Sequence, residues 1–243
     1  MFRDWVSVSN YVFIVLFCVV YLLRRPAFRQ CSSDRYAFLY AFLLVATPPI
    51  GFAFRVFQDL NGEINAFFGN LDKPSYNAWW HNLTLWIVVP MVVMLLIHSY
   101  LPRGKKALIK KLMYGFMVFV LIFEGLQIQP FYLVQGILAA VGSLCILASC
   151  MTYFYSLMTH EEYLSVELLR LPSFWQVTFI FFYVSLNYSS DISFSYLSER
   201  NPEFVTSILW VAKVSGVAQS LVFLACFTAP ALKIKLENQP SYA

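Results

Sequence analysis

Long apolar stretches recur along the whole chain, and short polar stretches separate them. An α-helix needs roughly 20 mainly apolar residues to cross about 30 Å of hydrocarbon. Seven of the stretches are close to that length or exceed it, so the pattern predicts seven transmembrane helices. Their expected bounds are 7–23, 36–57, 79–101, 107–127, 130–157, 172–190 and 204–231.

The composition supports a membrane protein. Of the 243 residues, 60% are hydrophobic and only 12% are charged. Soluble domains usually carry about 25% charged residues. The first apolar stretch is followed by RRPAFR and not by a small-residue cleavage motif, so we interpret it as a retained helix. The predicted fold is an all-α polytopic membrane helix bundle.

The segments between the apolar stretches are short. The longest of them on the predicted outer side, residues 58–77, has room for a short interfacial helix and a turn. We therefore expect one seven-helix transmembrane domain over residues 1–231 and a short cytoplasmic tail over residues 232–243. No kinase, ATPase or DNA-binding module is expected in the chain.

Basic residues indicate the orientation of the bundle. With the N-terminus outside, the cytoplasmic segments contain twelve Lys and Arg residues, and the outer segments contain only Arg3, Lys73 and Arg200. This positive-inside bias agrees with an odd number of spans and a cytoplasmic C-terminus. Because the basic residues lie in short segments beside the membrane, they argue against nucleic-acid binding.

Polar residues collect in the outer halves of the predicted spans and suggest a ligand pocket that faces outward. The candidates are Lys213, Glu124, Gln135, Asn187, Arg55 and His81. A charge inside a membrane is a functional candidate by default. Lys213 is expected about 13 Å from the outer end of its span, at 1.5 Å per residue. We expect Glu124 to be its partner.

The neighbours of Lys213 suggest its direction. Ala212, Gly216 and Ser220 recur every four residues and predict a close helix contact. Since Lys213 lies at the edge of that face, we expect it to point into the bundle. The alternative is that a Lys213–Glu124 pair only holds helices together, while residues near the interface extend their charged ends into water.

The sequence provides no motif of an enzyme or a metal site. There is no Gly-rich phosphate loop, no His-Glu-x-x-His and no Cys-x-x-Cys. The three histidines at positions 81, 98 and 160 fall at distant places in the predicted topology, so one metal ion is not expected to join them. We therefore predict no catalytic residues, no metal and no cofactor, and we favour a non-enzymatic role.

The segment FYSLMTHEEYLSVELLRLPSFWQVTFIFFYVS, residues 154–185, shows an aromatic helix end, a short linker and a Pro-x-Phe-Trp helix start. It resembles the C-terminal half of small multi-span inner-membrane proteins and sensor-kinase membrane regions of Bacteroidota. The matching residues are Phe154, Tyr155, Pro172, Phe174 and Trp175. The resemblance implies a sensory or signalling unit of a bacterial inner membrane that acts through a separate partner protein on the cytoplasmic side.

Other classes of membrane protein stay open as alternatives. A structural or assembly subunit of a larger membrane complex would explain the same composition. A small-solute transporter is expected to show internal repeats, and none is evident in the seven unequal stretches. A retinal protein shares only the topology, because the third stretch contains no Asp or Glu to act as a counterion.

Overall fold

The computed structural model describes residues 2–23, 32–71, 78–164, 167–197 and 202–229. The regular elements in these residues are all helical. In chain order they are α1 Phe2–Leu23, α2 Ser32–Val56, α3 Gln58–Phe67, α4 Ala78–His81, a π-helical segment Asn82–Val88, α5 Val89–Tyr100, α6 Arg103–Gly125, α7 Gly136–Thr159, α8 Glu161–Leu164, a 3-10 turn Leu168–Arg170, α9 Pro172–Leu197 and α10 Pro202–Thr228. The predicted tail, residues 232–243, and most of the predicted cytoplasmic loop 24–35 lie outside the described residues.

In the part of the chain that the structure describes, five helical segments are long and apolar enough to cross a membrane. They are Trp5–Leu23, Ser32–Val56, Ala78–Tyr100, Gly136–Thr159 and Thr206–Thr228. Each of the other two predicted spans also lies on a helix, but α6 begins with a lysine-rich turn and α9 becomes polar after Asn187. The all-helical class is therefore confirmed, while the count of seven spans and the orientation stay predictions.

Six of the long helical segments form a closed ring. Each of α1, α2, α5, α7, α9 and α10 packs against two others in the ring, in that order, and α10 returns to α1. α6 packs on the outside against α5 and α7. Large side chains such as Trp5, Tyr114 and Leu121 are exposed on the outer faces. Large exposed apolar patches are uncommon on soluble monomers and are expected where a helix faces lipid.

The second of the two adjacent prolines of α2 is accommodated by a neighbouring tyrosine. Pro49 lacks an N–H, which leaves the carbonyl of Val45 without its usual helical donor. The hydroxyl of Tyr11 on α1 donates to that carbonyl at 3.2 Å. Neighbouring helices commonly satisfy carbonyls freed in this way in membrane helices.

The proline of the third predicted span lies just after the π-helical segment. In this segment the Val89 N–H donates to the carbonyl of Thr84, five residues earlier. Pro90 follows directly and has no N–H for the carbonyl of Trp86. A Cβ at Gly142 of α7 would lie 3.1 Å from Pro90 Cγ and 3.4 Å from the Trp86 oxygen. Glycine at this position thus allows α7 to approach the altered helix closely.

The structure confirms the small-residue contact predicted on α10. Ala212, Gly216 and Ser220 are all buried. A Cβ at Gly216 would lie 3.1 Å from the ring of Tyr183 on α9 and 3.3 Å from the amide of Asn10 on α1. The Ser220 hydroxyl also donates to Asn10 Oδ1 at 2.6 Å. Small side chains therefore let α10 pack tightly between α1 and α9.

The predicted bounds of the fifth span were wrong at its start. The sequence pattern placed residues 130–157 in one helix, whereas α7 begins only at Gly136. Residues 126–135 instead connect α6 to α7, and Gln135 is the N-cap residue of α7. This connection is rich in apolar residues, so hydropathy alone does not separate it from the helix that follows.

Candidate functional site

We call the end of the bundle where α2 and α6 end and α7 begins the α3 end. A cleft opens there. The empty volume of the cleft, open solvent included, is about 1080 Å³. Its lining comes from α3, the start of the third apolar segment, the last turn of α6 and the connection 126–135. The lining residues of this Glu124 cleft include Glu63, Phe68, Trp79, Leu83, Glu124 and Phe131.

α6 and α3 end in the same type of C-terminal motif, and the ends of both helices line the cleft. α6 ends in a Schellman motif in which Gln127 N–H donates to the Glu124 carbonyl at 3.1 Å and Ile128 N–H to the Phe123 carbonyl at 3.2 Å. Gln127 has a φ of 49°, in the left-handed region that favours glycine. α3 ends in the same way, with Gly69 at a φ of 82°. Glu124 is therefore held in the last turn of its helix.

Asn82 fixes the connection that forms the third wall. Its side chain is 0% exposed, and Nδ2 donates to the carbonyls of Phe131 at 2.7 Å and Leu133 at 2.6 Å. Its Oδ1 accepts a longer hydrogen bond, at 3.4 Å, from the Gln135 N–H. Three backbone groups of the connection thus depend on one amide in the π-helical segment. π-Helical segments are rare and are often found at functional sites.

A second group of asparagines attaches α3 to the bundle. Trp79 Nε1 donates to Asn61 Oδ1 at 3.1 Å. Asn65 Nδ2 donates to the Asn61 carbonyl at 2.9 Å, and Asn70 Nδ2 donates to Asn65 Oδ1 at 3.0 Å. All three asparagines are buried. Buried, satisfied polar networks of this kind hold neighbouring elements in one arrangement.

Glu124 and Gln135 have buried oxygen atoms with no hydrogen-bond partner. Four buried side-chain atoms lack a partner in the described part of the chain, and two of them, Glu124 Oε1 and Gln135 Oε1, lie at this end of the bundle. The Gln135 side-chain amide lies within hydrogen-bonding reach of the Glu124 carboxyl group, and its Nε2 also donates to the Gln129 carbonyl at 3.0 Å. The carboxylate at the edge of the cleft is therefore poorly supplied with donors.

Aromatic rings form much of the remaining lining. The rings of Phe68 and Phe131 lie 4.7 Å apart, and Trp79 lies 6.5 Å from Phe68. Both lie in the range in which aromatic side chains interact favourably. A neighbouring recess shares Glu124, Phe68 and Phe131 and adds Tyr132. The cleft thus combines a half-buried carboxylate with several aromatic faces.

The structure brings together only part of the predicted pocket. Glu124 lines the cleft and Gln135 lies beside it. His81 is half-buried and directly precedes Asn82, whereas Arg55 is exposed. Asn187 donates to the Tyr183 carbonyl of its own helix at 2.8 Å.

The expected inward direction of Lys213 was wrong. Its side chain is exposed on α10, and no ion pair joins it to Glu124 among the residues that the structure describes. Lys213 follows the buried Ala212 by one residue, which rotates it by about 100° around the helix. The rotation moves it off the packed stripe and onto the outer face.

Several residues of the site were not predicted. The asparagines on α3 could have been found from their i, i+4 spacing at positions 61 and 65, since asparagine is an unfavourable residue inside a helix. Phe68 and Phe131 carried no such signal in a chain with 24 phenylalanines. Their role depends on the tertiary contact between α3 and the connection 126–135.

No metal site is formed by the described residues, because no three His, Cys, Asp or Glu side chains lie close enough to hold an ion. No protein-family model, curated protein or solved structure matches the chain. The candidate function therefore rests on the geometry of the Glu124 cleft.

Proposed function

We propose that the chain is a non-enzymatic integral membrane protein that senses a small ligand in the Glu124 cleft and signals through a separate partner protein. The apolar helices and their exposed apolar faces support a location in the membrane. By the positive-inside bias, the α3 end faces outward and the basic start of α6 faces the cytoplasm. The ligand then comes from the outer side, and the partner from the inner side.

The observation that carries this proposal is the buried oxygen of Glu124 that lacks a donor at an open cleft, with a second such oxygen on the neighbouring Gln135. An unpaired buried polar atom costs about 1–3 kcal/mol, and an ionised one costs more. A purely structural bundle gains nothing from leaving a carboxylate in this state. A ligand that donates hydrogen bonds to Glu124 lowers the free energy of the bound state.

The ring of helices supports a route between the two ends of the molecule. α7 runs from Gly136, which follows Gln135 beside the cleft, to Thr159, a length of about 36 Å. Near its far end, the hydroxyls of Tyr153 and Ser173 on α9 share a hydrogen bond of 2.8 Å. A ligand that shifts the connection 126–135 therefore acts on a helix that contacts α9 near the predicted cytoplasmic side.

The test is a ligand screen with the purified protein in lipid nanodiscs. Thermal midpoints are measured with a panel of small water-soluble cations, neutral compounds and anions. We expect at least one compound to stabilise the parent and Glu161→Gln, a control on an exposed carboxylate at the far end, but not Glu124→Gln. A panel with no stabilising compound, or equal stabilisation of Glu124→Gln, would contradict a ligand site in this cleft.

A second candidate function is a subunit of a larger membrane complex. Lys213 favours it, because the residue is exposed within the apolar segment Thr206–Thr228. A charged side chain at this depth is costly unless it reaches the interface or finds a partner. If this alternative holds, Lys213→Met reduces the size of the assembly extracted in mild detergent, while Glu124→Gln leaves that size unchanged.

A further inference from the structure

We infer that the ligand of the Glu124 cleft is an organic ammonium ion that carries at least one N–H group, and this inference rests on the proposed function. The charges of the lining are the first support. Two carboxylates, Glu63 and Glu124, line the main cleft, and none of the described residues in its lining is a Lys, Arg or His. A cleft lined by one sign of charge favours a ligand of the opposite sign.

The position of Glu124 indicates how the ligand is held. Its side chain lines the cleft, while Oε1 is shielded from solvent and lacks a donor. The terminal torsion of a glutamate is soft, so a small rotation turns the carboxylate toward a ligand. An ammonium N–H then forms a charge-assisted hydrogen bond with it, which is stronger than a bond between neutral groups. The side-chain amide of Gln135 lies within hydrogen-bonding reach of the carboxyl group and helps to position it.

The aromatic lining favours an organic cation. Phe68, Trp79 and Phe131 present rings to the cleft, and a cation over an aromatic face is attracted by the electrons of the ring. A metal ion is a poor occupant, since Ca²⁺ takes six to eight oxygen ligands. The described residues bring together no such group of acidic side chains.

The requirement for an N–H group comes from the unpaired oxygen of Glu124. A quaternary ammonium ion offers the same charge to the rings but has no hydrogen to donate. The inference therefore distinguishes a primary ammonium ion from its trimethylated form. It also distinguishes both from neutral compounds of similar shape.

The experiment measures dissociation constants for four probes with the full chain in phosphatidylglycerol nanodiscs. The probes are 2-phenylethylammonium, its N,N,N-trimethyl form, 2-phenylethanol and 3-phenylpropionate. We expect 2-phenylethylammonium to bind about tenfold more tightly than each other probe, the effect of one hydrogen bond to a charged group. Glu124→Gln should weaken its binding by about tenfold, and Glu161→Gln should leave it unchanged.

A second variant supports the test in case Glu124→Gln folds poorly. Phe131→Leu keeps the apolar contact but removes a ring that lines the cleft. It should weaken binding of 2-phenylethylammonium several-fold more than binding of 2-phenylethanol. Equal weakening of both probes would overturn the cation–ring contact and with it the inferred ligand class.

The outcomes separate the inference from the proposed function. Preferred binding of the alcohol, the carboxylate or the trimethyl form, lost in Glu124→Gln, overturns the inferred class and leaves the ligand site in place. No binding of any probe, together with a failed screen, overturns both.

A lipid amine is the second source of the same chemistry. Weaker binding of 2-phenylethylammonium in phosphatidylethanolamine nanodiscs, but not in phosphatidylcholine nanodiscs, identifies a lipid headgroup as the ammonium source. Equal binding in both supports a free amine.

Discussion

Replacing Asn82 by leucine tests how far the cleft depends on a single amide. The two side chains have similar size, so the substitution removes hydrogen bonds without opening a large cavity. It deletes two donors to the carbonyls of Phe131 and Leu133 and one acceptor for the Gln135 N–H. All three partners belong to the connection 126–135.

The expected loss of stability follows from these bonds. Polar contacts between membrane helices average about 0.6 kcal/mol, and a buried group left unsatisfied costs about 1–3 kcal/mol. Because Asn82 is fully buried and water does not replace it easily, we expect a total loss of about 2–4 kcal/mol.

The matched control is Asn187→Leu. Asn187 donates only to the Tyr183 carbonyl of its own helix, at 2.8 Å. A carbonyl inside a helix keeps its backbone donor, so the loss should stay below about 0.6 kcal/mol. Thermal unfolding in nanodiscs, with purity and helicity checked beforehand, compares the two variants. If Asn82→Leu is no less stable than Asn187→Leu, Asn82 does not hold the connection in place.

Three further predictions concern helix packing and helix ends. Gly142→Ala should be less stable than Gly115→Ala by about 1 kcal/mol in thermal unfolding. The reason is that the new Cβ lies 3.1 Å from a proline ring at position 142 and in open space at position 115. Equal stability of the two variants would contradict the close contact. Tyr163→Phe should lower the free energy of unfolding by about 1–3 kcal/mol, because the buried hydroxyl donates at 2.6 Å to the carbonyl at the end of α5. The control Tyr114→Phe changes an exposed side chain and should have no measurable effect. An unchanged stability of Tyr163→Phe would mean that the carbonyl finds another donor. Gln127→Gly should raise stability by about 0.5–1 kcal/mol because φ is 49° there, and a loss would show that the glutamine side chain has its own structural role.

The sequence predicted the parts of the fold that depend on local pattern. Each apolar stretch contains a long helical segment, Pro172 starts α9, and the stripe that includes Gly216 packs between two helices. Proline has no N–H to lose in the first turn of a helix, so its position is a reliable signal. Small residues every four positions likewise mark one face without any tertiary information.

The site was predictable only in part, because it depends on contacts between distant segments. Glu124 was found, since a carboxylate in an apolar stretch is conspicuous. The direction of Lys213 depends on how α10 is rotated about its axis. A shift of one residue along the helix turns a side chain by about 100°, which is enough to move it from the packed face to the exposed face. The start of α7 was misplaced because the connection before it is apolar, and its path is determined by the side chain of Asn82.

The central claim is that the Glu124 cleft opens to the outer side and holds a ligand there. The most direct measurement labels single introduced cysteines in intact cells with a membrane-impermeant maleimide, using the parent protein as the background. Leu83→Cys lies in the lining of the cleft, and Met158→Cys is exposed near the opposite end of α7. We predict that Leu83→Cys is labelled in intact cells, that 2-phenylethylammonium slows this labelling, and that Met158→Cys is labelled only after permeabilisation. Labelling of Met158→Cys but not of Leu83→Cys in intact cells would contradict the outward-facing cleft, and labelling of Leu83→Cys that no ligand slows would contradict its occupation.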